Sequence, residues 1–388
     1  MDLVISAQRL YTPLEVIERP LVFVADGLIT RITSRLESET PTRGPIVEWE
    51  DSILVPGFID MHIHGGSGHD VMESDNTALP AVEELLFRHG VTSYFPTTIT
   101  APLDLTLAAL ERLAEAIEHA ENNRIRGRRA RPLGIHLEGP FISHKRPGVH
   151  PVGELLTPTV EIFEKLWQAS RGHIKVLTIA PELDGAEAVI AEAARRGICV
   201  SIGHSDADTA AAQAGVAAGA RHATHTFNAM RPLDHRDPGI LGEVLTDRRI
   251  TAEVIADGIH VDPMVVELFL RAKGLEGAVL VTDATAATGM PDGRYRLGSL
   301  EVDVVGGKCT ANGKLAGSVL TLDKAVRNVM KFANWNLQQA VRLATLNPAQ
   351  ASKLEPTAGQ LVPGAVADMV ALTANGEVRQ TIVRGQIT

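Results

Sequence analysis

The chain has 388 residues, 45% of them hydrophobic and 22% charged, with a formal net charge of −10. That composition excludes a disordered or fibrous protein and leaves room for one large domain of about 250 residues beside a smaller one. The acidic balance speaks against a nucleic-acid or anionic-membrane surface, and any site for a small anion would have to be built locally from Arg and His.

At the amino end, Leu3 to Ser6, Pro20 to Ile32 and Ile46 to Glu50 are strand-like, with Asp26-Gly27 marking a hairpin. Between Gly57 and Ala286, β-rich runs alternate with helical stretches such as Asp104 to Asn122, Gly185 to Arg196 and Asp208 to Ala218. Eight runs recur: Gly57 to His64, Val91 to Thr97, Pro132 to Pro140, Ile174 to Glu182, Cys199 to Ser205, His222 to Asn228, Ile250 to His260 and Gly277 to Thr285. Eight strands with helical connections predict an α/β fold of the closed (β/α)8, TIM-like barrel kind. A Gly-rich stretch at 287–320 reads as a hairpin insertion after the eighth strand, followed by helices at Thr321 to Phe332 and Leu337 to Ala344. Another hairpin pattern, around Ala374-Asn375-Gly376, ends the chain. The expected organisation is a small β-sandwich made from both termini, residues 1–55 plus 350–388, around a barrel of residues 56–349.

Only Cys199 and Cys309 occur, too few for a disulfide framework, and the start MDLVISAQRL lacks a basic segment followed by a long apolar one. No run of about 18 apolar residues suggests a membrane span. A reducing, cytoplasmic location is the expectation.

In a barrel the active site lies at the carboxyl ends of the strands. Those ends carry His62-Ile63-His64, His136-Leu137-Glu138, His204, His222 with His225, Asp257 with His260, and Asp283. Residues two apart on a strand share a face, so His62 with His64, and His136 with Glu138, project into the barrel together. One buried histidine is usually a hydrogen-bonded core residue, but several imidazoles converging with a carboxylate suit a divalent cation, zinc or iron by donor type.

The motifs PGFIDMHIHG (56–65), HLEGPF (136–141), GHSDA (203–207), HATHTFNAM (222–230), ADGIHV (256–261), VTDAT (281–285), AGSVLTLD (316–323) and VPGAVADMV (362–370) carry a resemblance that spans the chain. It resembles the amidohydrolase superfamily and, within it, the deacetylases of N-acetylated hexosamine 6-phosphates. The resemblance implies Glu138, His204 and His225 as ligands of the principal metal. His62 and His64 match a pair that holds a second metal in some members, so one or two metals per subunit are open to the chain, Glu138 bridging if there are two. The carboxylated lysine that bridges metals in other branches has no counterpart, because Lys175 stands near the start of its strand.

The resemblance further implies that Asp283 acts as general base and then acid as a metal-activated water attacks the acetamide, with His150 stabilising the oxyanion. An Asp after a strand is also a common helix cap, and His150 also reads as an ordinary loop histidine. Asn228 and the backbone of Ala229 match phosphate contacts, Arg236 a phosphate-binding arginine, and His260 a sugar contact. In relatives that arginine reaches across from a neighbouring subunit, which implies a homodimer. Lys145 and Arg146 read as a solvated face, and Cys199 as a small core residue. The implied reaction converts N-acetyl-D-glucosamine 6-phosphate to D-glucosamine 6-phosphate and acetate. Its alternatives are the galactosamine epimer, another amide, or a non-catalytic barrel that serves as a binding module.

Overall fold

Eight parallel strands, Phe58–Ile63, Val91–Thr98, Ile135–Glu138, Ile174–Ile179, Cys199–Ile202, His222–Ala223, Thr251–Val254 and Ala278–Leu280, follow one another around the molecule in the computed structural model, which describes residues 3–12, 14–37, 45–122 and 128–387. Each strand pairs in parallel with the next. The seam between last and first closes just past the strand ends, where Ile63 bridges Ala284. There Asp283 N donates to His62 O at 2.9 Å and the Thr282 hydroxyl donates to Asp60 at 2.6 Å. The strands are buried on both faces because helices cover the outside and packed side chains fill the inside; all eight residues of Val91–Thr98 are buried. One continuous core, with Phe58, Tyr94, Phe95, Phe163 and Phe269 among its largest members, joins strands to helices.

The helices begin where the sequence supplies caps. Asp208 accepts from Ala211 N ahead of Thr209–Ala218, Thr159 from Ile162 N ahead of Val160–Ala169, and Asp262 from Met264 N with Pro263 opening the helix. Asp208 is thus a cap rather than the first residue of its helix. Gly185 likewise precedes Ala186–Arg195, in the left-handed region.

The termini meet in one seven-stranded sheet of Leu3–Tyr11, Val16–Glu18, Pro20–Ala25, Leu28–Ser34, Ile46–Pro56, Met369–Leu372 and Val378–Ile382. Ile46–Pro56 joins the two ends, lying parallel to Leu3–Tyr11 and antiparallel to Met369–Leu372. Among the described residues these strands form a single hydrogen-bonded sheet rather than two separate ones. Its buried face, with Ile5, Leu10, Val22 and Leu54, is closed by Leu361, Ala365 and Ala367 from the segment returning from the barrel. Asp26 and Gly27 both have positive φ, 52° and 81°, the geometry of a tight hairpin turn. The sheet passes into the barrel at Gly57, where a Cβ would stand 2.1 Å from Thr92 Oγ1, so only glycine fits.

The insertion after the eighth strand is more than a hairpin. Gly293–Leu297, Leu300–Val305, Lys308–Ala311 and Lys314–Leu315 form a four-stranded antiparallel meander. Its own small core of Leu297, Val302, Val304 and Cys309 packs on Ile99, beyond the end of the second barrel strand, so the meander leans over the barrel mouth.

Candidate active site

Glu138 ends the third strand and stands between two sets of imidazoles. Its Oε1 lies 3.3 Å from His204 Nε2 and 3.2 Å from His225 Nε2. Its Oε2 lies 3.5, 3.3 and 3.5 Å from Nε2 of His62, His64 and His150. Although two ring nitrogens face it, the buried Oε1 makes no hydrogen bond. His204 Nε2 and His225 Nε2 approach to 3.0 Å, and His62 Nε2 and His64 Nε2 to 3.3 Å. Lone pairs brought together this closely, at about the nitrogen spacing of a tetrahedral zinc site with ligands at ~2.0 Å, are arranged for a cation rather than for one another. Three groups bring their donor atoms close enough together to fit one: Glu138 with His150 and His204, His62 with His64 and Asp283, and, deeper, His62 with His136 and Glu253.

The turns that aim these side chains are strained. His204, His225, Phe227, Ala229 and Asp283 have φ of 47°, 24°, 78°, 50° and 49°, in the region that favours glycine. Each costs about 1–3 kcal/mol, which the surrounding packing offsets. Gly148 has φ 58°, and a Cβ there would stand 3.1 Å from the His204 ring, which explains the glycine two residues before His150.

Outer contacts set the tautomers. His64 Nδ1 faces Thr97 O at 3.1 Å and His204 Nδ1 faces Arg146 O at 3.0 Å, so both donate there and turn a bare Nε2 to the centre. His150 is the reverse: its Nδ1 accepts the Thr100 backbone N–H at 3.3 Å and lies 2.8 Å from the Thr100 hydroxyl. Its proton therefore sits on Nε2, facing the cavity, and burial pushes its pKa down to about 4, so the ring is a neutral N–H donor. Asp283 Oδ1 lies 3.2 Å from His64 Nε2 and 3.6 Å from His62 Nε2, so its carboxylate faces the same centre as those two nitrogens. His136 faces inward as expected but deeper, held by Thr178 at 2.7 Å and Met61 O at 3.2 Å, with burial pushing it down to about 3.

A cavity of about 190 Å³ at the barrel mouth is lined by His64, Glu138, His150, His204, His225, Asn228, Ala229, His260 and Asp283. His62 stands behind His64 and is fully buried, while His260 is fixed by Asp257 at 2.7 Å. Arg236 is not brought to the cavity; it lies exposed in the loop at 231–238, its backbone N–H bound to Asp234. Arg146 pairs with Asp206 at 2.8 Å, Lys145 is exposed, and Cys199 is buried with its thiol pushed up to about 12. Sequence reasoning did not find Thr100, nor the lining residues Leu297 and Leu315 of the meander, nor Glu253, whose carboxylate touches His62 and His222. For Glu253 a signal was present: an acid inside the otherwise uncharged run Ile250 to Ala256 of the seventh strand region. Two larger grooves, of about 800 and 780 Å³, lie away from these residues, one beside Leu79 and Arg112, the other beside Val24 and Arg384.

Fold and rim together define a barrel hydrolase of the metal-dependent kind. The chain belongs to the amidohydrolase family, whose profile matches residues 53–388. It is 39% identical over 368 residues, 94% of this chain and 92% of the relative, to an N-acetylglucosamine-6-phosphate deacetylase of Lysinibacillus sphaericus. It is 37% identical over 388 residues, 100% of this chain and 99% of the relative, to an N-acetylgalactosamine-6-phosphate deacetylase of Escherichia coli O157:H7. A solved N-acetyl-D-glucosamine-6-phosphate deacetylase variant from Mycobacterium smegmatis, in complex with N-acetyl-D-glucosamine-6-phosphate, superposes with TM-score 0.90 at 33% identity, covering 100% of this chain and 99% of that one. Among the described residues no helix is long and apolar enough to cross a membrane.

Proposed function

We propose that the chain hydrolyses the acetamide of N-acetyl-D-glucosamine 6-phosphate, releasing D-glucosamine 6-phosphate and acetate in the cytoplasm. The observation that carries this reading is Glu138 set between two groups of imidazoles, with Asp283 and the Nε2–H of His150 facing the same cavity. Glu138, His204 and His225 would hold the principal metal, zinc or iron by donor type, and His62 and His64, with Glu138, would hold a second one. Bound there, the metal supplies a Lewis acid that acidifies water and polarises the amide carbonyl.

Asp283 takes the proton of the attacking water and returns it to the departing amine nitrogen, which is too basic to leave unprotonated. His150 donates its Nε2–H to the oxygen that gains charge. Asn228 and the backbone of Ala229 hold the phosphate, and His260 holds the sugar. Arg236, exposed on its loop, meets the phosphate of a substrate bound in the partner of a homodimer. The galactosamine epimer is the second reading, supported by the full-length relative that bears that name. A non-catalytic role is disfavoured because every expected ligand and the base are present.

Acetate release from the glucosamine and galactosamine 6-phosphate esters and their unphosphorylated forms, measured beside metal content and with Asp283→Asn as control, tests the proposal. Turnover by Asp283→Asn equal to the parent's removes the mechanism, and equal rates on unphosphorylated sugars remove the role of Arg236.

A further inference from the structure

Behind the rim, in the middle of the seventh strand, Glu253 is completely buried and carries no contact with the cavity. A lone carboxylate in a barrel interior is costly, and an apolar side chain would fill the layer more cheaply, so its partners have to account for it. Its Oε1 faces His222 Nε2 at 3.2 Å. Its Oε2 takes two donors: His62 Nδ1 at 3.0 Å, and the backbone N–H of His225 at 2.9 Å. The first contact puts the proton of His62 on Nδ1 and leaves Nε2 bare toward Glu138 and His64. The second pins the turn at His225, whose φ of 24° is the least comfortable of the strained rim residues.

We propose that Glu253 is a positioning residue common to both halves of the metal centre, one carboxylate oxygen fixing the ring of His62 and the backbone that aims His225. The proposal rests on the reading of the rim as a divalent-metal site. It makes the two halves interdependent, because releasing Oε2 loosens one ligand from each. The pairing with His222 is separate, since it uses the other oxygen.

The test is a cobalt(II) titration of the demetallated full chain, followed by its visible absorption and by elemental analysis, for the parent, Glu253→Gln and His222→Gln. Gln keeps the shape of Glu and removes the charge. Glu253→Gln is expected to lose about 10–100-fold in cobalt affinity, with an altered absorption band, while His222→Gln stays within about threefold of the parent. Parental affinity and spectrum in Glu253→Gln overturn the proposal, and so does an equal loss in both variants, which is what a purely structural ion pair gives. Should Glu253→Gln fail to fold, 15N shifts of the histidine rings in the unsubstituted, demetallated chain decide: His62 protonated on Nδ1 is expected, and protonation on Nε2 overturns it. Acetate release by the parent is recorded in parallel, so absent deacetylation with an intact cobalt difference removes the proposed function and leaves the role of Glu253 standing.

Discussion

The two ends of the barrel are built on opposite terms. At the carboxyl end, five non-glycine residues sit in strained backbone, and imidazoles crowd a buried carboxylate to within 3.2–3.5 Å. At the amino end, the small sheet delivers the chain through Leu54, Val55 and Phe58, all buried and apolar, and the ion pair Arg131–Asp368 ties the barrel to the terminal segment. The crowding of imidazoles and carboxylate at the rim is tolerated because apolar packing elsewhere offsets it. Substitutions at the rim should therefore remove activity and spare stability, and those at the base should do the opposite.

Removing the divalent metal with a strong chelator should abolish acetate release, which returns on adding zinc or iron, while far-UV circular dichroism stays unchanged. Asp283→Asn should lower kcat about 10²–10⁴-fold with the melting temperature held or raised, because it removes acid–base chemistry from a strained position. At the base, Phe58→Ala should cost about 3–5 kcal/mol of stability by urea unfolding and leave the kcat of the folded fraction within about twofold; a loss of kcat as large as that of Asp283→Asn would break the contrast.

A smaller effect comes from Glu83, a titratable group that does not line the active-site cavity. Burial pushes its carboxyl up to about 7, against the charge of Arg129 and the hydrogen bond from Tyr94. A folded-state pKa above the unfolded one gives stability that is full below the unfolded pKa and is lost as pH rises through about 7. Glu83→Gln should therefore be more stable than the parent at pH 8, by on the order of 1–3 kcal/mol, and lose that advantage near pH 5. Smallest of all, Leu315→Ala, at the half-exposed edge of the cavity, should change KM by less than about threefold.

The barrel was legible because its strands are buried on both faces and separated by capped helices, so periodicity alone marked them. The candidate ligands were legible because His62 and His64 lie two apart, and because the positions of His204 and His225 follow from short motifs. Contacts between distant strands left no local trace. Glu253 meets His62 across 191 positions and His150 meets Thr100 across 50, so neither pairing shows in any window of sequence. The meander was read as a hairpin because its turns are all Gly-rich and alike, and its lining residues Leu297 and Leu315 look like ordinary apolar strand positions. The single sheet at the termini depends on Ile46–Pro56 pairing on both edges, which the alternation of either hairpin does not encode.

The barrel seam has a consequence for biosynthesis. Where first strand meets last, the Thr282 hydroxyl reaches back 222 positions to Asp60, and the amide of Asp283 closes on the carbonyl of His62. A ribosome thus delivers the first pair of histidines long before the residues that hold them in place. The nascent polypeptide cannot carry the proposed metal centre in finished form until the eighth strand has emerged, and appearance of tight metal binding during synthesis would time the moment at which the barrel shuts.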